Sequence, residues 1–236
     1  IIGMIIFYSG GTNVRLRFKN RRPISWATMW KILKIGVPAA IGALSFSSAR
    51  LIIMPMVTIF GTGLVAAYGV SQRISALGVM LLVGIGLGLS ALIGHNLGAG
   101  KKERARRTAN QALVLATSIM TALGLGTFVF ARPLMRLFFE EPQIVDYGIT
   151  ILRILALGFP FLAMHLVIEN IYNGVGENRP TMFFNILQAW ILEIPAVYIT
   201  TQVLGLNQNA VWWSITLATV ISASAFYYYF RNGKWL

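Results

Sequence analysis

The sequence has no cysteine, and its seven Asp and Glu stand against 20 Lys and Arg in 236 residues. Without cysteine no disulfide and no thiolate metal site can form. Charged residues of both signs make up only 11% of the chain, whereas a soluble domain carries about a quarter. So few charges cannot coat a chain of this length with a polar surface. With two histidines, a Ser/His pair, a carboxylate dyad or a metal-ligand set facing one another is hard to assemble. An enzyme embedded in the membrane is therefore the weakest of the functional classes considered.

What is present instead is apolar length. The chain is 56% hydrophobic, with a mean hydropathy of +0.70. A helix needs about 20 apolar residues to cross the hydrocarbon core of a bilayer. No Asp, Glu, Lys or Arg occurs at 74–100, at 108–131 or at 194–230. The last run exceeds one crossing and must turn, and Gly205-Leu206-Asn207-Gln208-Asn209 supplies the turn. Other breaks fall at Gly61-Thr62-Gly63 and at Gly174 to Pro180. The pattern predicts an all-α polytopic membrane bundle. Its six transmembrane helices run at about 35–60, up to 97, 108–131, 147–172, up to 204, and up to 230.

The excess of basic residues would suggest nucleic acid in a soluble protein. Here it follows the bias of Lys and Arg toward cytoplasmic loops, and no nucleic-acid partner is expected. Arg15 to Arg22 with Lys31 and Lys34, Lys101 to Arg107, Arg179, and Arg231 with Lys234 alternate onto one side of six spans. The other side receives Arg132 and Arg136, offset by Glu140, Glu141 and Asp146. The expectation is a multi-pass protein of the cell membrane with both ends of this segment cytoplasmic. Residues 1–8 resemble the tail of a preceding transmembrane helix, 9–34 a cytoplasmic basic loop, and 35–236 the six-helix lobe. The start at Ile1-Ile2-Gly3, with no initiator Met, suggests a fragment or a separately encoded half of a larger transporter.

Charges inside the spans are the strongest functional lead, because each is costly unless it pairs or lines a wet cavity. His165 and Glu169 stand at i, i+4, so an imidazole and a carboxylate share a helix face and together can hold and release a proton. A Glu169 that merely snorkels to the headgroups is the alternative. Glu193 lies mid-span before Ile194-Pro195, and a proline there frees a backbone carbonyl and can bend the helix. Arg50 is the evident counter-charge for one of these acids, and a purely structural Arg–Glu pair is the alternative for both. Glu193, Glu169, His165 and Arg50 are thus the candidates for cation coupling or substrate contact. Gly84/Gly88 and Gly94/Gly98 have the GxxxG spacing that lets helices pack closely. Gly94 to Lys102 does not make a phosphate loop, because His95 and Lys102 replace the required Gly and Ser or Thr.

Five stretches occur in order: Lys34-Ile35-Gly36-Val37-Pro38-Ala39-Ala40; Phe60-Gly61-Thr62 with Ala66 to Val70 and Gln72-Arg73-Ile74; Gly94 to Lys101; Leu152 to Phe161; and Asn173 to Asn178. Together they resemble the C-terminal half of the multidrug and toxin extrusion (MATE) family, over nearly the whole chain from about residue 30. The resemblance implies helices seven to twelve of a twelve-helix transporter. It also implies a partnering N-terminal six-helix lobe and export of organic cations, drugs or metabolites by alternating access. The exchanged ion would be H+ or Na+, with no cofactor and no resident metal. A flippase of lipid-linked saccharides, from the same wider superfamily, is the alternative. Some members carry a Glu in helix seven and an Asp early in helix ten. The matching stretches here, Leu44-Ser45-Phe46-Ser47 and Phe161-Leu162-Ala163, have no acid, so Glu169 and Glu193 are candidates particular to this sequence.

Overall fold

The computed structural model describes residues 25–233 and Trp235. The helix tail expected at 1–8, the basic cluster Arg15 to Arg22 and Lys234 lie outside the described residues. The chain divides into two compact units, Ile1–Lys34 and Ile35–Leu236. Among the described residues there is no β-strand. The helices are α1 (Trp26–Thr58), α2 (Thr62–Gly98), α3 (Lys102–Val129), the short α4 (Ala131–Arg136), α5 (Pro142–Val175), α6 (Arg179–Val203) and α7 (Asn209–Asn232). Five of them are long and apolar enough to cross a membrane, and α5 makes a sixth when its two bent halves are counted as one span.

The turns explain the boundaries. Gly176 takes φ +82° and closes α5, with its N–H bonded to the Tyr172 and Asn173 carbonyls. Only glycine adopts that left-handed geometry without a Cβ penalty. Within the second unit, many apolar side chains point outward, among them Leu77, Met80, Leu87, Leu125 and Leu217. Such a surface is costly in water and suited to lipid.

Two apolar clusters hold this unit together. One gathers Leu89, Ile93, Ala105, Ala109, Ile168, Ile171, Phe184 and Phe226, with the Phe184 and Phe226 rings stacked at 4.4 Å. The other gathers Ile53, Val57, Leu64, Ala131, Met135, Leu152 and Trp212, with Tyr68 stacked on Trp212 at 4.8 Å. The helix α5 contributes to both and packs on α2, α3 and α7.

Of the four glycines with GxxxG spacing, only Gly94 makes a tight contact. Gly84 and Gly88 face open space, as does Gly98. The close seam between α2 and α5 is made by Gly86, which lies under the Asn170 side chain, and by Gly94 and Gly174. A Cβ on Gly174 would lie 2.6 Å from the Ser90 carbonyl oxygen, so backbone meets backbone there. The GxxxG spacing located the right helix and one seam residue, Gly94, but Gly84, Gly88 and Gly98 lie on other faces. Spacing alone cannot say which side of an all-apolar helix meets a neighbour.

Two spans are irregular. The helix α5 bends by 49° between Pro142–Leu157 and Phe159–Val175. Pro160 is the cause: its ring crowds the carbonyl of Ala156, which then has no N–H four residues on to bond. Gly124 of α3 lets the neighbouring backbone approach that carbonyl, since a Cβ there would lie 2.9 Å from the Ala156 oxygen. The helix α6 changes winding twice, with wide π-type turns at Leu187–Glu193 and Ile199–Val203 on either side of Ile194–Tyr198. Pro195 has no N–H to donate, and the N–H of Ile194 bonds to Ala189, five residues back. Thr200 and Thr201 hydroxyls bond back to the Ala196 and Val197 carbonyls, both at 2.7 Å, a habit that loosens helical turns.

Candidate functional site

The interrupted stretches of α5 and α6 border a cavity of about 310 Å³. Its wall combines apolar side chains, including Phe46, Leu155, Phe159 and Leu162, with polar ones from α1, α2, α5, α6 and α7. It lies where the two apolar clusters meet, with Phe159 of one and Tyr68 of the other both on its wall. In membrane transporters, interrupted helices near mid-span are where backbone and polar groups become available to a ligand.

Three of the four sequence candidates meet on this wall: Arg50 of α1, His165 of α5 and Glu193 of α6. Glu193 closes the first wide turn of α6 and is buried, at 8% exposure. Arg50 contributes to the same wall, yet the sole ion pair among the described residues is Arg132 with Asp146 at 3.5 Å, exposed and outside the cavity. Arg50 and Glu193 therefore share a cavity without closing into a salt bridge, which corrects the expectation of a direct Arg–Glu pair. Arg50 is exposed on α1 and Glu193 is buried on α6, and the two face the cavity without touching.

His165 is almost wholly buried. Its Nε2 lies 2.7 Å from Oδ1 of Asn185 on α6. An amide oxygen only accepts, so Nε2 carries the proton and Nδ1 is left as an acceptor without a partner. Phe46 and Phe226 meet the imidazole edge to face at 6.0 and 5.2 Å. Its hydrogen-bond partner is Asn185, 20 residues away, rather than Glu169 one turn on. Glu169 is half-buried and is not part of the cavity wall; its polar neighbour is again Asn185. Asn185 thus takes the place beside His165 that helical spacing had given to Glu169.

Five further polar residues, Tyr68, Gln72, Gln188, Thr216 and Thr219, help build the wall and were not singled out as site residues from sequence. Tyr68 and Gln72 of α2, one turn apart, are linked by the Gln72 amide donating to the Tyr68 hydroxyl at 2.7 Å. Gln188 of α6 donates to the Thr219 hydroxyl of α7 at 3.1 Å, and its carbonyl oxygen is buried without a partner. The Thr216 hydroxyl of α7 reaches across to the Ile154 carbonyl of α5 at 3.3 Å, just before the bend. Tyr68 and Gln72 fall inside a stretch that carried the family resemblance, and their i, i+4 spacing was the available signal. Gln188 and Thr219 gave none, since neither is charged and they lie on different helices.

Arg153, a further charge within a span, has a local solution. Arg153 donates from Nε to the Phe128 carbonyl at 3.3 Å, with its guanidinium 5.3 Å from the Phe128 ring centre. It thereby satisfies a carbonyl of the last turn of α3. Ser45 and Ser48 of α1 bond back to the Ile41 and Leu44 carbonyls, both at 2.8 Å, so their hydroxyls are already occupied. None of Met54, Met56, Met80, Met120 and Met164 lines the cavity. Among the described residues, no three of His, Asp and Glu gather closely enough to hold a metal ion.

Known proteins resemble this chain in sequence and fold. A probable multidrug resistance protein NorM of Thermotoga maritima is 25% identical over 213 residues, 90% of this chain and 46% of that protein. A probable multidrug resistance protein YpnP of Bacillus subtilis is 26% identical over 92% of this chain and 48% of its own length. Among solved structures, a MOP superfamily transporter from Pyrococcus furiosus superposes with a TM-score of 0.88 at 21% identity, covering 98% of this chain and 52% of that one. The chain spans about half the length of the curated relatives it matches. The sequence profile of the MatE family matches residues 38–199, and the chain belongs to that family.

Proposed function

We propose that this lobe, joined to a second six-helix lobe, forms an exporter of small organic cations, drugs or metabolites driven by exchange for H+ or Na+. The observation that carries the reading is Glu193: a buried carboxylate on a mid-span cavity wall, at an irregular turn of α6. A carboxylate in such a place can hold a substrate cation, a proton or Na+, and mutual exclusion among them is what couples the flows. The names of the T. maritima and B. subtilis relatives, both probable multidrug resistance proteins, support the substrate class. The lobe would sit in the cell membrane with Lys101 to Arg107 and Arg231 on the cytoplasmic side. A saccharide flippase would favour a wall rich in basic side chains, and Arg50 is the sole Lys or Arg on this one.

The test is reconstitution of the two-lobed transporter in proteoliposomes with ethidium as substrate. An imposed pH or Na+ gradient is expected to drive ethidium movement, and Glu193→Gln to abolish the gradient dependence. Movement equal with and without a gradient would reject exchange. Full gradient dependence in Glu193→Gln would remove this residue from the coupling.

A further inference from the structure

The cavity wall is sorted by hydrogen-bonding sense. Glu193 and the unpartnered carbonyl oxygen of Gln188 only accept, and both sit on the first wide turn of α6, Leu187–Glu193. Arg50 only donates, and Tyr68, whose oxygen already accepts from Gln72, has its own proton left to give. All seven acids of the chain fall within the described stretch, and none pairs with Arg50. Arg50 and Glu193 thus put one positive and one negative group on the same wall without a direct contact, so each has its charge-assisted hydrogen bonds left to offer a ligand. A ligand that carries both charges can engage both groups at once, whereas a pure cation leaves the guanidinium unused. A guanidinium fork fits a carboxylate with two parallel hydrogen bonds.

We infer that the cavity selects zwitterionic amphiphiles, with the ammonium on Glu193 and Gln188, the carboxylate on Arg50 and Tyr68, and an apolar body against Phe46 and Phe159. This rests on the reading of the cavity as the substrate site and adds to its substrate class of organic cations a preference for those that also carry an anionic group. Arg50 thereby becomes the specificity-determining residue, because it distinguishes a zwitterion from the same molecule with its carboxylate masked. Glu193 provides the complementary distinction, against the same molecule with its amine masked.

Three fluorescent probes of one skeleton separate the charges. Nε-dansyl-lysine is a zwitterion, its methyl ester is a cation, and its Nα-acetyl derivative is an anion. Equilibrium binding to the purified two-lobed transporter is read by dansyl fluorescence. The zwitterion is expected to bind about tenfold more tightly than either masked form, the worth of one charge-assisted contact. Arg50→Gln should bring the zwitterion down to the level of the ester and leave the ester unchanged or improved. Arg50→Lys, which keeps the charge, should retain most of the preference and guards against a variant that fails to fold. Glu193→Gln should bring the zwitterion to the level of the acetylated anion.

An ester that binds as tightly as the zwitterion in the unaltered protein overturns the inference. So does an Arg50→Gln variant that weakens both equally, the pattern of an arginine engaged with the other lobe for structural reasons. The two readings fail separately. Gradient-driven ethidium transport without any zwitterion preference leaves the exporter and removes this selectivity. An Arg50-dependent preference without gradient-driven transport leaves the site and removes the exchanger.

Discussion

The seam between α2 and α5 and the cavity bordered by α5, α6 and α7 are built on opposite principles. At the seam, glycines bring two helices together until the backbone at Gly174 rests on the backbone at Ser90. Nothing polar beyond the helices' own hydrogen bonds is required, and nothing can move far. On the cavity side, Pro160 bends α5 and Pro195 accompanies the two wide turns of α6. There hydroxyl and amide side chains bond between helices, Thr216 to Ile154 and Gln188 to Thr219. The helix α5 takes part in both, with its C-terminal half in the seam and its bend at the cavity. Polar residues gather where the helical ladder is interrupted, because bilayer lipid offers no partner for a spare carbonyl. One flank of the lobe is fixed in place, while the other keeps groups to offer a ligand.

That comparison can be broken most easily at its rigid end. Gly174→Ala should destabilise the intact transporter by about 1–3 kcal/mol, because a methyl group has no room against the Ser90 carbonyl. Gly84→Ala, on the same helix as the seam but facing open space, should change stability by less than about 1 kcal/mol. Thermal melting in detergent compares them, and equal shifts would show that the seam is misplaced. On the flexible side, Pro195→Ala restores a backbone N–H and should let α6 tighten toward regular α-helix, turning Glu193 away from the cavity. The expected result is a substrate uptake rate lowered about tenfold at an unchanged or raised melting temperature, the trade of function for stability seen when irregular sites are regularised. A lowered melting temperature would instead make Pro195 a structural necessity. The smallest effect belongs to Thr216→Val, which removes one hydrogen bond between helices, worth about 0.6 kcal/mol in membrane proteins. It should leave transport almost intact, and a large loss of transport would give that hydroxyl a direct part in binding.

The fold was legible because its signals are long and one-dimensional. Charge-free runs gave the spans, and Gly61, Gly176 and Gly205, all with positive φ, marked turns that composition had already placed. Pro160 carried the signal for the bend in α5, which was not among the expectations. The wide turns of α6 were hidden, since Pro195 announces a missing donor and not how the chain re-registers around it. At the site, the costly charges Arg50 and Glu193 stood out by themselves, and both line the cavity. The pairing of His165 with Glu169 followed helical spacing but missed Asn185, because a neutral amide on another helix leaves no trace in sequence. For the same reason Gln188 came to light only with the packing of α6 against α7.

The central claim is that the cavity where the two apolar clusters meet is open to water and substrate, while the seam is closed to both. Since this chain has no cysteine, a single introduced thiol can test it in the two-lobed transporter, with any cysteine of the other lobe replaced. Ser75→Cys places a thiol on the cavity wall, and Leu89→Cys places one in the apolar cluster beside the seam. Labelling by a water-soluble maleimide should be fast at position 75, slowed by saturating tetraphenylphosphonium, and negligible at position 89. Equal labelling at the two positions, or a rate at position 75 that the cation leaves unchanged, would contradict the account.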